Sequence, residues 1–220
     1  MDMDMELGLE VEDERETNVK RLMRYWQNER MAPEVLAHQE DLVNELMEKI
    51  KQQARAIDSI TNTPHDQSTS ADVMEEEHFR IMLIQTQMER VKFLIRAYIR
   101  CRIDKIERFA QYLNSQEGTA ARNRLTEMER AYVERFDNVT RDHLRTTVLD
   151  NLPERLRSLD DEEMIPRPDL DLPVHCQVRK NIVLIELPDG NTLEMERASV
   201  HMLRYQSIRA ELHREDVRLV

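Results

Sequence analysis

The 220-residue chain carries 44 acidic and 32 basic side chains, a formal net charge of −12, with 40% hydrophobic and 35% charged residues. Its three glycines stand apart at Gly8, Gly118 and Gly190, which excludes a P-loop or a dinucleotide fingerprint, since both need clustered glycine for close backbone approach to phosphate. Two cysteines without a CxxC spacing argue against a disulfide framework or a zinc cluster, and no run of about 18 apolar residues indicates a membrane span.

The charge is unevenly placed. Residues 1–16 are net −7, 17–149 neutral, 150–163 net −4 and 164–220 net −1. The central part therefore lacks both bulk acidity and the clustered basic excess of a dedicated DNA-binding domain. Residues 1–16, MDMDMELGLEVEDERE, alternate acidic and apolar side chains and read as a disordered acidic tail, a pattern that also suits a short docking peptide. An acidic start fits neither a signal nor a transit peptide.

From Thr17, the spacing of Val19, Leu22, Met23 and Trp26 predicts a helix that breaks at Ala32-Pro33. Proline suits a first helical turn, so Pro33 is expected to open a second helix, with a stripe of Leu36, Val43, Met47, Ile50, Ala54 and Ile57. Residues 61–71 read as a polar loop. Asp72 to Glu75 resemble a capping box for a long third helix reaching about Leu113, whose stripe runs from Ile81 and Ile84 to Ile106 and Ala110. Gly118 marks a stop or turn. A fourth helical pattern spans Thr119 to Leu149, with Leu125, Met128, Tyr132, Phe136, Val139, His143 and Thr147 on its apolar face and His143 partly buried there.

The texture changes after Pro153. SLDDEEM leads into IPRPDLDLP, whose prolines hold the chain extended. Beyond it Val174–Val178 alternates as a strand, placing His175 and Cys176 on opposite sides. Ile182–Ile185 and Thr192–Glu196 flank a Pro188-Asp-Gly-Asn turn and read as a hairpin. Residues 199–213 suit a short helix, and Val217–Val220 a terminal strand tied into a small sheet. The expected organisation is mainly α with a small β domain: an acidic tail over 1–16, a bundle-like helical domain over 17–150, an acidic, proline-rich linker over 151–171 and a β-rich domain over 172–220. The last is small enough to lean on other protein surface for stability.

No chemistry-bearing constellation emerges. The seven histidines show no HxxxH or HExxH spacing, the acidic runs at Glu75–Glu77 and Asp160–Glu163 suit solvated charge, and no Gly-framed serine occurs. The chain reads as a non-enzyme with no metal and no cofactor. One segment stands out. MERVKFLIRAYIRCRIDKIERF, residues 88–109, holds seven basic residues on the most apolar helix. At about 100° per residue they ring the helix instead of lining one strip, which disfavours a membrane-surface helix. Arginine stems packed on apolar neighbours, with heads paired to acids of adjacent helices, are the ordinary reading. A helical adaptor of some other complex and a weak nucleic-acid-binding module remain open on the residues alone.

The segments YWQNERMAPEVL (25–36), QMERVKFLIRAYIRCRIDKIERF (87–109), IPRPDLDLPV (165–174) and HMLRYQSI (201–208), in this order, resemble the Sld-five-type subunit of GINS, a four-subunit eukaryotic replication complex. The resemblance implies a helical A domain followed by a β-rich B domain, and a nuclear, non-catalytic scaffold within a heterotetramer with three Psf-type chains. It further implies joining the MCM ring and a RecJ-like cofactor in the replicative helicase, with coupling to polymerases. In some family members the N-terminal tail docks a replisome hub, which for this chain would involve Met3–Leu9. On this basis Trp26, Pro33 and Leu36 are expected to organise the first two helices. Tyr98, Arg100, Arg102, Lys105, Ile106 and Glu107 are expected to carry core and subunit-interface packing. Pro166, Pro168, Asp169 and Leu170 should place the β domain, and Leu219 and Val220 should close it.

Overall fold

A computed structural model describes residues 16–61, 71–159, 164–180, 182–187 and 190–220. The acidic tail with Met3–Leu9, the polar loop over 62–70, the acids Asp160–Glu163 and Pro188-Asp189 of the predicted turn lie outside these residues.

Helix α1 (Asn18–Met31) is capped by Thr17, whose hydroxyl accepts from the Lys20 amide at 3.4 Å. It stops at Met31 because Ala32 is extended (φ −70°, ψ 139°). The Pro33 ring disfavours helical backbone in the residue before it. Pro33 thus closes the first helix and does not open the second, which begins at Glu40. Residues 32–39 form an ordered connection. Helix α2 (Glu40–Thr61) starts with Glu40 and Asp41, suited to the positive end of the helix dipole, and buries Leu42, Val43, Leu46 and Ile57 while Met47 stays exposed.

Helix α3 (Ala71–Arg108) spans 38 residues, roughly 57 Å at 1.5 Å per residue. It begins one residue before Asp72, so Asp72 lies inside the first turn and not at the cap. Its amino-terminal part exposes Phe79, Met82, Leu83 and Ile84, and burial sets in at Met88. The helix breaks at Phe109 (φ −109°, ψ 19°) and resumes as α4 (Ala110–Asn114). Gly118 follows at a crowded corner, where an added Cβ would run into the Tyr112 carbonyl. The fourth helical pattern is two helices, α5 (Thr119–Arg122) and α6 (Glu127–Thr147), separated so that Thr126 and Glu129 can build a capping box. Two single-turn 3₁₀ helices, Leu149–Asn151 and Glu154–Leu156, end the helical region.

The carboxyl-terminal unit holds strands β1 (Pro173–Val178), β2 (Ile182–Glu186), β3 (Thr192–Glu196), β4 (Val200–Arg204) and β5 (Val217–Leu219), with helix α7 (Tyr205–His213) between the last two. The sheet order is β4-β1-β5, all antiparallel, with Cys176 opposite His201 on one side and Leu219 on the other. β2 and β3 form the predicted hairpin, and Gly190 takes the positive φ (77°) that its turn requires. β1 alternates as predicted, burying Val174, Cys176 and Val178. The segment predicted as one helix over 199–213 divides, because Val200–Arg204 pairs with β1 and α7 starts only at Tyr205. The Tyr205 and Gln206 amides, in the first turn of α7, donate to the Leu172 and Leu170 carbonyls at 3.0 and 2.9 Å.

Three cores result. Leu22, Leu42, Val43, Leu46, Leu94, Ile95 and Tyr98 join α1, α2 and α3. Val35, Ile106, Phe109, Leu113, Leu125 and Val133 join the 32–39 connection to α3, α4 and α6. The β core includes Val174, Cys176, Ile185, Met195, Tyr205, Ile208 and Leu219, together with Ala32 and Leu36 from the helical side.

Candidate functional site

The basic segment of α3 resolves into two populations. Arg96, Arg100 and Arg108 are exposed, and Arg108 pairs with Asp104 one turn away at 3.2 Å. Arg102 and Lys105 instead point into the protein. Arg102 has no exposed surface at all. Its Nε and Nη2 donate to the two carboxylate oxygens of Glu129 at 2.9 and 3.0 Å, and its Nη1 donates to Glu29 Oε2 at 3.0 Å and the Leu36 carbonyl at 2.7 Å. Such a two-point pair is what the planar guanidinium fork is shaped for. Lys105 Nζ donates to Glu29 Oε1 at 3.0 Å, to the Glu34 carbonyl at 2.9 Å and to the Glu29 carbonyl, which uses all three ammonium donors.

Both cations hold the 32–39 connection, whose backbone bonds to the flanking helices only at its ends, through the Ala32 amide to the Asn28 carbonyl (2.9 Å) and the Gln39 carbonyl from the Val43 amide (3.1 Å). Its carbonyls at Glu34, Val35 and Leu36 are taken in turn by Lys105, Arg124 (3.1 Å) and Arg102. The Leu36 amide points at the Glu29 carboxylate, and the Gln39 amide donates to the Tyr98 hydroxyl at 3.2 Å. A buried irregular segment must satisfy its peptide groups this way or lose them to desolvation. Tyr98 is also a platform, with the Arg102 guanidinium 5.8 Å from its ring centre and His38 stacked on it at 5.7 Å. Burial pushes the Tyr98 hydroxyl up to about 12. Burial and the neighbouring Arg102 push His38 down, so its imidazole stays neutral. Burial opposes ionisation of Glu129, but the Arg102 hydrogen bond and charge outweigh it and hold its carboxyl below the ordinary range.

A second carboxylate of the same connection faces the β unit. Glu34 accepts from Arg209 Nε and Nη2 at 2.7 and 2.6 Å and from the Tyr205 hydroxyl at 2.9 Å, and pairs with Arg124 at 2.9 Å. Burial again opposes ionisation, and the Arg209 and Arg124 cations again prevail.

The remaining predicted residues scatter. Trp26 is half-buried, with Arg30 over its ring at 6.0 Å. Ile106 is fully buried, and Glu107 accepts from the Tyr132 hydroxyl at 2.5 Å. Pro166 and Asp169 are exposed and Pro168 is half-buried; Asp169 turns the chain by accepting from the Asp171 amide at 2.9 Å. Leu170 packs on the β core, Leu219 is fully buried within it, and the Val220 amide donates to the His175 carbonyl at 3.0 Å. Sequence reasoning missed Glu29, Glu34 and Glu129. The first two lie in YWQNERMAPEVL, one of the segments that carry the resemblance, and that is the only signal that marked them.

The face of α6 is a correction. Its buried row is Val133 and Asp137, while Met128 (84% exposed), Tyr132, Val139 (68% exposed) and His143 face outward. Glu129 and Asp137 can be inside because Arg102 takes the first, and Asn114 (2.9 Å) and Arg141 (3.1 Å) take the second. Of the apolar row of α6 only Phe136 packs on the core, with Tyr132 stacked on it at 6.0 Å, while Met128 and Val139 are left to solvent. Apolar surface of this kind marks a contact face more often than an idle one.

Among the described residues no group of three or more His, Cys, Asp or Glu side chains is placed to hold a metal, and no helix is long and apolar enough to cross a membrane. Cys101 and Cys176 are free, and burial pushes both thiols up.

These features define a helical-bundle protein with a small carboxyl-terminal sheet unit, several paired charges turned inward and part of its apolar surface turned outward. Residues 41–148 match the family described as "GINS complex protein helical bundle domain", and residues 168–220 match "DNA replication complex GINS protein SLD5 C-terminus". The chain is 30% identical over 208 residues to the DNA replication complex GINS protein sld5 of Schizosaccharomyces pombe, covering 92% of each chain. It is 30% identical to the Arabidopsis thaliana SLD5 protein over 215 residues (93% and 91% of the two chains) and 28% identical to the human one over 200 residues (86% and 83%). The chain belongs to the Sld5 family of GINS proteins, and its role lies in DNA replication.

Proposed function

We propose that the chain is a non-catalytic scaffold subunit of a GINS heterotetramer, assembled with three Psf-type chains in the nucleus. In this reading the tetramer joins the MCM ring and a RecJ-like cofactor as the replicative helicase and serves both initiation and fork progression. Contacts with polymerases or a replisome hub, the latter through the acidic tail, belong to the same reading.

The supporting observation is the outward apolar row of α6, Met128, Tyr132 and Val139, on a bundle whose buried charges are already paired within the chain. A surface of that kind is suited to packing against another helix. The exposed residues Phe79, Met82, Leu83 and Ile84 of α3 offer a second such surface. Among the residues expected to carry core and subunit-interface packing, exposed Arg100 and half-buried Glu107 are suited to partner contact, and buried Tyr98, Arg102, Lys105 and Ile106 to a role within the chain.

Coexpression with three Psf-type chains, followed by light scattering, tests the reading. A complex with the mass of one copy of each chain is expected. A chain that stays alone in the presence of all three contradicts it, and binding of the isolated chain to DNA with steep salt dependence would favour a nucleic-acid module instead.

A further inference from the structure

The β unit is attached to the helical unit twice, once by the covalent linker and once by a clasp of side chains. The two attachments differ in kind. The linker over 151–171 touches the helical unit through Gln111 and the Leu159 carbonyl (2.5 Å) and through Arg167 and Glu117 (3.1 Å), the latter pair well exposed. The clasp is buried at Glu34 and Tyr205 and half-exposed at Arg209. Tyr205 and Arg209, four residues apart and so on one face of α7, close on Glu34, whose side chain is 4% exposed. Beside it the Leu219 amide of β5 donates to Asn28 Oδ1 at 2.9 Å, in a buried contact. At the rim Glu215, in a left-handed turn (φ 60°), receives Arg24 at 2.9 Å and Tyr25 at 2.5 Å. Ala32 and Leu36 complete the β core from the helical side.

Glu34 is itself held from behind. Its carbonyl takes Lys105, which shares Glu29 with Arg102, which is gripped by Glu129 of α6. A continuous chain of paired charges, buried at Arg102, Glu29, Lys105 and Glu34, thus runs from α6 through α3 and the 32–39 connection to Arg209 of α7. We propose that this Glu34 clasp fixes the place of the β unit in cis, before any partner is bound, and that the linker is only a tether. The two units then meet an assembly as one preset body, and a partner seated on one is positioned by the other. The proposal concerns the chain by itself and stands whether or not the assembly is the one named above.

The test uses the full chain with donor and acceptor dyes at Lys49→Cys and Leu184→Cys, both exposed positions, in a Cys101→Ser background; Cys176 is buried. Inserting roughly fifteen flexible Gly/Ser residues between Glu162 and Glu163 lengthens the tether and lowers the effective concentration of the β unit only modestly. The energy-transfer efficiency should stay unchanged and narrow. Adding Glu34→Ala to the lengthened chain should shift most molecules to low transfer. Arg209→Lys keeps the charge but loses the two-point grip, and should raise the low-transfer population at least tenfold. It carries the test if Glu34→Ala does not fold, as judged by circular dichroism. A lengthened linker that alone lowers transfer overturns the proposal, as does a lengthened chain whose transfer is indifferent to Arg209→Lys.

Discussion

Glu129 grips Arg102 with both carboxylate oxygens while its Oε2 also accepts from the Thr126 amide at 3.0 Å, closing the first turn of α6. One side chain thus joins the start of α6 to the interior of α3. Local helix capping and long-range packing share a single group, so loss of Glu129 removes both at once.

Removing the cation should be severe. Arg102→Ala leaves Glu29, Glu129 and the Leu36 carbonyl facing each other in a dry site. A loss of about 3–5 kcal/mol in unfolding free energy is expected, as for other broken buried pairs. Arg102→Lys should recover less than half of it, because an ammonium cannot make the two-point pair. Chemical denaturation followed by circular dichroism measures both.

Acid should act through Glu34 and Glu129. Both carboxyls are held below the ordinary glutamate range in the folded chain, by Arg209 and Arg124 in one case and Arg102 in the other, against the opposing effect of burial. A depressed value means that these groups contribute stability at pH above the unfolded-state value and lose it as pH falls through the folded one. The melting temperature should therefore hold between about pH 7 and 5 and drop below about pH 4. Glu34→Gln should lower the plateau and flatten the acid limb. An acid limb unchanged by that substitution would count against the Glu34 contribution.

Deleting Leu219 and Val220 should loosen the β unit. Leu219 is fully buried, opposite Cys176 in the sheet, and its amide is tied to Asn28. Loss of a buried leucine costs about 2–5 kcal/mol, and here a strand pairing goes with it. Hydrogen exchange should accelerate in β1 and in the last turn of α1, around Asn28, with α2 and the middle of α3 little changed.

Met128→Glu and Val139→Glu on α6 should separate folding from assembly. Both side chains are exposed in the single chain, so unfolding should change by no more than about 0.5 kcal/mol. Yield of the coexpressed tetramer should fall several-fold if this row is a subunit contact. Yield equal to that of the unsubstituted chain would place the contact elsewhere.

Much of the architecture was legible because apolar periodicity reports burial directly. The helical stretches of α1 to α3, the alternation of β1, the β2–β3 hairpin and the terminal strand all follow from it. The failures at the candidate site and on the face of α6 share one cause, which is burial of charge. The inward row of α6 is shifted by one residue from the apolar row, because Glu129 and Asp137 occupy positions that a pattern reading assigns to solvent. Glu29 and Glu34 escaped for the same reason, since an isolated glutamate is ordinarily a surface residue until its cations, distant in sequence, are known. The division of 199–213 into β4 and α7 was hidden by a different effect. Val200–Arg204 becomes a strand only through its pairing with β1.

The connection at 32–39 depends on residues far along the chain. Its contacts with Arg102 and Lys105 span 66 and 71 residues, that with Arg124 spans 89, and Glu34 reaches Arg209 across 175. Only a stretch of chain running from the connection to Arg209 contains all of these partners, so the first helices cannot reach their final state on local information. Folding must close its longest loops to satisfy its earliest segment, a topology that makes for a slow, cooperative transition. Until it closes, the cations of α3 and the carboxylates of α1 remain in water, and the charged side chains that end up deepest in the protein are among the last to be enclosed.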